Sequence, residues 1–449
     1  MRLKQFTGKN VRGYMNFDIS FRESVTFLIG INGSGKTTVL KLLSGLLEPS
    51  YRVLNNIEFS ELVLKCEIEN NEIIQICCKK DTANMFLQYS DNVKNVQIER
   101  KFKLSDKFDL LEEKTDYDRE EYVKNKGEFD NSEITDKIRS IQTPLFLGIN
   151  RRVIEVSNGV SPSSIRDLQL HRRRRRVDDA VDRALLDIQN MVFDYVRQNA
   201  KKQGVFADTF RKKVVHDSFK FYNEIPLMLT NDYNKELLQL SQKKQNLKVA
   251  IQELGLNDLS DELDEAFNQL ELLLKKLSEL ATQNEKDPEF YNTLFKWMVN
   301  SSQLDKIDAI TSYGNDYLEN LKKLREPITR FQDGVNTFFK EGKKELIIDG
   351  QGEIKVKISS KRINSIYELS SGEKQLVIML AHLALNRGSK QTSIFFIDEP
   401  ELSLHISWQE LFVDALLEAS PKTQFVIATH APAILAKPER KEWCEDLSK

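Results

Sequence analysis

Apolar and polar positions divide the chain into three regimes. Near the N-terminus, Phe17, Ile19 and Phe21 alternate with polar residues, and Val25-Thr26-Phe27-Leu28-Ile29 is a short apolar run that stops at Gly30. Both patterns predict strands, the second of the buried kind. From Lys36 the spacing turns helical through Val39, Leu40, Leu42, Leu43 and Leu46, with Gly45 and Pro49 near its end. Residues 59–90 read as an antiparallel meander: Leu62 to Ile68, a turn at Asn70-Asn71, Ile73 to Cys78, and Met85 to Tyr89.

From about 234 to 283 the chain is rich in Leu, Lys, Gln and Glu. Leu263, Phe267, Leu270, Leu274 and Leu277 follow the spacing of an a/d seam, and Leu240, Leu247, Ile251 and Leu254 form a looser one. Gly255, Asn257, Asp258 and Ser260 between them supply C-cap and N-cap chemistry. A helical hairpin is predicted, either as a short coiled coil or as two helices packed on an all-helical subdomain. The last regime is α/β again: strands at Leu346–Ile348 and Ile354–Ile358, a helix from about Gly372 to Leu385, buried strands at Ile394–Ile397 and Phe425–Ala428, and a helix over 407–419. The organisation expected is a lobe over 1–150, a helical insertion over 151–340 and a second lobe over 341–449.

Charge adds detail to the insertion. Lys and Arg total 66 against 68 Asp and Glu, a formal net charge of -2, which excludes a globally basic nucleic-acid coat. That balance hides two opposed stretches: 105–136 carries twelve acidic and five basic residues, and 151–224 sixteen basic and ten acidic. The first predicts a solvated or flexible insert. The second contains Arg172-Arg173-Arg174-Arg175-Arg176, which either grips nucleic-acid phosphates or forms a solvated helix face paired with the acidic insert. No apolar run is long enough to span a membrane, and MRLKQFTGKN lacks the apolar stretch of a secretory signal, so a cytoplasmic location is expected. Cys66, Cys77, Cys78 and Cys444 are too few and too irregular for a disulfide framework or a zinc site and predict reduced thiols.

Candidate chemistry falls at the ends of the buried strands. Gly30-Ile31-Asn32-Gly33-Ser34-Gly35-Lys36-Thr37 fits G-x-x-x-x-G-K-[ST] between a strand and a helix, where backbone N–H groups and a helix N-terminus cradle phosphates. Lys36 would bridge phosphate oxygens and Thr37 would ligate Mg²⁺. Ile394 to Ile397 ends in Asp398 and Glu399, adjacent carboxylates that need a cation or a proton to coexist. Asp398 suits the metal shell and Glu399 the attacking water. His430, after Phe425 to Thr429, either satisfies a core carbonyl or reaches the γ-phosphate. Ser370-Ser371-Gly372-Glu373 opens a helix and is a second anion-binding N-terminus, suited to the nucleotide of another subunit.

Together these residues resemble the ATP-binding-cassette ATPases of the structural-maintenance-of-chromosomes, RecF and OLD branch. The resemblance covers roughly 1–60 and 330–435 and implies an α/β P-loop NTPase fold with an antiparallel β-subdomain and a helical insertion. It assigns Asn32, Gly33, Ser34, Gly35, Lys36, Thr37 and Thr38 to the nucleotide. Ser370, Ser371, Gly372 and Glu373 match the signature, with Ser371 and Glu373 standing where the family has Gly and Gln. Glu401 to His405 matches the D-loop, His430 the switch histidine and Gln142 the Q-loop, and the resemblance gives Thr37, Asp398 and Gln142 to Mg²⁺. Phe396 to His405, followed by Trp408-Gln409, is similar to stand-alone ATPases of bacterial antiphage systems, the Septu ATPase subunit first, with PARIS and retron-associated ATPases after it. That likeness implies ATP and Mg²⁺ as cofactors, head-to-tail homodimers, slow hydrolysis and a separate nuclease partner, of HNH type in a Septu-like system. With 19 residues after His430, no Toprim domain of the OLD kind is expected. The alternative is a DNA-repair or chromosome-maintenance ATPase that binds DNA directly.

Overall fold

The computed structural model describes residues 1–68, 72–91, 96–105, 116–141, 145–147, 153–154, 180–219, 233–283, 288–359, 362–385, 394–402 and 404–448. They form two compact units, Met1–Asp194 with Ile328–Lys449, and Tyr195–Pro327.

Three sheets build the first unit. One is antiparallel, from β1 (Arg2–Val11), β2 (Met15–Ser20), β4 (Glu61–Glu67), β5 (Ile73–Lys80), β6 (Asn84–Asp91) and β7 (Val96–Lys103), in the order β2-β1-β4-β5-β6-β7. Another contains β3 (Val25–Ile29), β8 (Leu145–Leu147), β9 (Val153–Ile154), β13 (Ile394–Asp398), β14 (Gln424–Ala428) and β15 (Cys444–Asp446), ordered β15-β3-β14-β13-β8-β9 and parallel except at β8-β9. The smallest is the antiparallel β10 (Glu345–Ile348), β11 (Ile354–Ser359) and β12 (Arg362–Ser365).

Every residue of β13 and β14 is buried, as a parallel strand covered on both faces requires, and this is why their sequences run apolar without alternation. Helix Lys36–Leu47 joins one core with both six-stranded sheets: Leu40, Leu43 and Leu46 are fully buried in the cluster that holds Phe6, Leu64 and Ile76 on one side and Phe396 and Val426 on the other. The parallel register pairs Ala428 with both Asp398 and Leu28, so the C-terminal ends of β3, β13 and β14 lie side by side. Ligands of open α/β sheets bind at that edge.

The acidic stretch departs from its sequence reading. It folds as helices Asp116–Asp130 and Glu133–Arg139, and Tyr122, Phe129, Ile134 and Ile138 are buried in the main core. Phe129 packs on Phe102 with ring centroids 4.8 Å apart and on Tyr51 at 5.7 Å. A few well-spaced apolar side chains, not the net charge, decide the fate of this segment. Residues 106–115 lie outside the described residues, as do Arg172–Arg176.

β1, β7, β9, β12 and β15 are additions to the sequence reading. In β1 a register shift between Leu3 and Gln5 breaks the pattern; β15 is three residues paired to the edge of β3. Cys66, Cys77, Cys78 and Cys444 are free thiols. Burial pushes the Cys66 and Cys78 thiols up to about 12, so both stay protonated and inert.

In the second unit the hairpin has arms Tyr233–Glu253 and Ser260–Gln283. Leu240 and Leu247 meet Phe267, Leu270 and Leu274, and the same cluster takes in Leu304, Trp297 and Ile307 of the helix Pro288–Phe339. The arms therefore pack on a third helix instead of standing as a two-stranded coil. Gly255 turns the chain at φ 72°, and Leu256 N–H donates to the Ile251 carbonyl, closing the first arm. No helix among the described residues is long and apolar enough to cross a membrane.

Candidate nucleotide site

The loop after β3 takes left-handed conformations that glycine permits at low cost. Gly33 has φ 89° and Gly35 φ 95°, and a Cβ on Gly35 would fall 2.7 Å from the Phe17 ring. Helix Lys36–Leu47 begins at Gly35 with no side-chain cap and no acidic residue in its first turn. Its first N–H groups and the positive end of its dipole are thereby left for an anion. The Lys36 ammonium, buried, donates to the Gly30 carbonyl at 2.7 Å and to that of Ile31 at 3.2 Å, holding the loop closed from within. The Ser34 hydroxyl is buried without a hydrogen-bond partner among the described residues. Asn32 is exposed at the loop tip, and Thr38 is buried in the helix beneath it. The Ile31 N–H donates to the Ser448 hydroxyl at 3.1 Å, a contact from the end of the described chain that sequence spacing could not reveal.

Across the parallel register, the Thr37 hydroxyl donates to Asp398 Oδ1 at 3.2 Å. Asp398 Oδ2 is buried and has no partner among the described residues. Burial raises the Asp398 carboxyl to about 6, opposed by the Thr37 hydrogen bond and reinforced by the nearby charge of Glu399. An orphaned buried carboxylate oxygen beside a hydroxyl fits a hard divalent cation that prefers oxygen ligands, as Mg²⁺ does. Glu399 has φ 50°, a conformation uncommon for a non-glycine residue. Its N–H donates to the Ala428 carbonyl at 2.9 Å, which extends the β13-β14 pairing by one residue and fixes the strained turn.

Glu401, the first residue of the stretch matched to the D-loop, turns inward. One carboxylate oxygen accepts from the Thr429 hydroxyl at 2.9 Å; the other accepts from the His430 N–H at 2.9 Å and lies 3.0 Å from His430 Nδ1. His430 is bound by a carboxylate, not by a core carbonyl. Ser403 and Gln142 lie outside the described residues.

Ser370 and Glu373 form a capping box. The Ser370 N–H donates to Glu373 Oε2 at 2.9 Å, and the Glu373 N–H to the Ser370 hydroxyl at 3.4 Å, over the start of helix Ser371–Leu385. The S-x-x-E spacing carried this signal in the sequence. Lys344 donates to the other Glu373 oxygen at 2.7 Å, and Lys374 pairs with Asp182 at 2.8 Å. Burial would raise the Glu373 carboxyl, but Lys344 and the Ser370 groups outweigh it and hold it below the usual value. Ser370 and Gly372 line an open cleft of about 470 Å³ together with Leu402, Leu404, His405 and Trp408. None of Lys36, Thr37 or Asp398 lines it. The structure thus brings Lys36, Thr37, Asp398, Glu399 and His430 to one sheet edge and gives Ser370 to Glu373 a surface of their own.

A family model described as the AAA ATPase domain matches residues 1–435. Among curated proteins, the retron Vc95 probable ATPase of Vibrio cholerae serotype O1 biovar El Tor is 24% identical over 332 residues, 69% of this chain and 60% of that protein. The retron Ec83 probable ATPase of Escherichia coli is 22% identical over 460 residues, 97% of this chain and 69% of that protein. The chain therefore spans only part of the length of both relatives. A Smc head domain of Pyrococcus furiosus, solved with an extended coiled coil and bound to the C-terminal domain of ScpA, overlays at a TM-score of 0.40 and 14% identity over 97% of this chain and 91% of that one. The assignment rests on the family match and not on this overlay: with 1–435 covered and the phosphate cradle facing Asp398, the chain belongs to the AAA ATPase domain family and is an ATPase.

Proposed function

We propose that two copies of this chain close head to tail on ATP and Mg²⁺, and that the closed state controls a separate nuclease within a bacterial antiphage assembly of Septu-like type. The observation that carries the catalytic half is the orphaned oxygen of Asp398 beside Thr37, opposite an uncapped helix N-terminus. In this reading Lys36 exchanges the Gly30 and Ile31 carbonyls for phosphate oxygens, and the loop N–H groups bind the remaining ones. Thr37 and Asp398 hold Mg²⁺, which when bound neutralises phosphate charge. Glu399 orients the attacking water and takes its proton, and His430 contacts the γ-phosphate.

In this reading one copy lends the exposed Ser370 and the start of its helix to the nucleotide of the other, the capping box of Ser370 and Glu373 opening to release their N–H groups. The defence reading is supported by the Phe396 to Gln409 string and by the similarity to two retron ATPases. The likeness to the Septu ATPase subunit in that string is what assigns the nuclease to an HNH-type partner. The purified chain is expected to hydrolyse ATP slowly in the presence of Mg²⁺ and to leave duplex DNA intact. Degradation of DNA by the chain alone contradicts the assignment of the nuclease to a partner.

A further inference from the structure

Glu401 is a carboxylate in an enclosed place, its side chain 7% exposed, next to a histidine ring that is 47% exposed. A buried carboxylate is costly unless its oxygens are hydrogen-bonded. Here Oε2 accepts from the Thr429 hydroxyl and Oε1 from the His430 N–H, and His430 Nδ1 lies 3.0 Å from the same Oε1. The Thr429 hydroxyl is itself held by the Ala431 N–H at 3.1 Å, and the Thr429 N–H donates to the Leu28 carbonyl at 3.2 Å. Glu401 thus binds a backbone already fixed to β3, with the half-exposed ring of His430 beside it. The ring nitrogen lies 3.0 Å from a carboxylate oxygen, which accepts and cannot donate and so favours a proton on Nδ1. His430 Nε2 has no protein partner among the described residues.

We propose that Glu401 is a positioning residue for ATP hydrolysis: it holds His430 as the Nδ1–H tautomer, in one ring orientation, and leaves Nε2 for the nucleotide. This rests on the reading of His430 as the γ-phosphate contact. The sequence likeness gives Glu401 only as the first residue of the D-loop; its carboxylate makes its contacts inside its own protomer. The carboxylate fixes the imidazole in the way that outer-shell carboxylates orient metal-bound histidines. Glu401→Ala is the informative variant, because it removes the oxygen beside Nδ1, whereas Glu401→Gln can still present its amide oxygen to both the His430 N–H and Nδ1.

The experiment uses the full chain labelled with ¹⁵N at its five histidines, with His430→Ala to assign the His430 signals, at about pH 8.5, where an ordinary imidazole is neutral. His430 is expected as Nδ1–H in the wild type and in Glu401→Gln, and as mainly Nε2–H in Glu401→Ala. Turnover of Glu401→Ala should fall about 10- to 100-fold with KM for ATP changed by less than about threefold, and Glu401→Gln should retain most of it. An Nε2–H tautomer in the wild-type chain overturns the proposal whatever the variants do. So does a fall in turnover for His430→Ala with none for Glu401→Ala. Unchanged turnover in His430→Ala overturns instead the reading of His430 as a nucleotide contact, and the tautomer measurement then still decides whether Glu401 controls the ring.

Discussion

Replacing Glu399 by Gln is expected to lower ATP turnover by about two to four orders of magnitude, the range for loss of a general base, while ATP binding is retained. The amide keeps the size of the side chain and leaves the backbone bond from residue 399 to the Ala428 carbonyl in place. Lys36, Thr37 and Asp398 are untouched, so the phosphates remain held and only proton removal from the water is lost. The measurement is single-turnover hydrolysis beside equilibrium ATP binding. Loss of binding together with turnover would mean that residue 399 shapes the pocket and does no acid–base work. If nucleotide closes two copies, Glu399→Gln with ATP should also sediment as a dimer under conditions where the nucleotide-free chain does not.

Asp398→Asn is expected to separate stability from activity. Burial raises the Asp398 carboxyl from 3.8 to about 6 in the folded chain, so the folded state holds this proton more tightly than the unfolded state. Stability from this group is greatest below about pH 4, declines as pH rises towards 6, and is then lost in full, because the ionised carboxylate stays buried with one oxygen unpaired. An asparagine has no such charge. Without nucleotide, Asp398→Asn should therefore melt higher than the wild type by roughly 2–4 °C at pH 8, and the difference should vanish near pH 4. With ATP and Mg²⁺ the order should invert, since only the wild type gains the full stabilisation of bound ligand, and Asp398→Asn should not hydrolyse ATP. Differential scanning calorimetry at both pH values, with and without ATP and Mg²⁺, checks both halves.

The parts of the site visible in the sequence are contiguous. Gly30 to Thr37, Asp398-Glu399 and the S-x-x-E box of Ser370 and Glu373 each place their chemistry within eight residues or fewer, and the flanking apolar runs identify strand or helix. Glu401 and His430 are 29 residues apart, and their contact depends on β13 pairing with β14 in one particular register. No periodicity encodes that. Ser448 reaching Ile31 spans 417 residues and follows from β15 adding to the edge of β3. Fold misreadings have a similar origin. In 116–139 the charges dominate any average, while Tyr122 and Phe129 decide the packing. Along β1 the register shift hides the alternation that Leu3 and Phe6 would otherwise show.

The central claim, one ATP shared between Lys36 of one copy and Ser370 of the other, is tested most directly by mixing two inactive variants. Lys36→Ala loses the phosphate lysine, and Ser370→Arg blocks an exposed signature position without touching the core. Each alone should be unable to hydrolyse ATP. If sites are composite, half of the two-fold dimers in an equal mixture contain one intact site, so the mixture should recover roughly a quarter of the wild-type rate. A mixture as inactive as its components, under conditions where the two variants demonstrably co-assemble, would contradict the shared site.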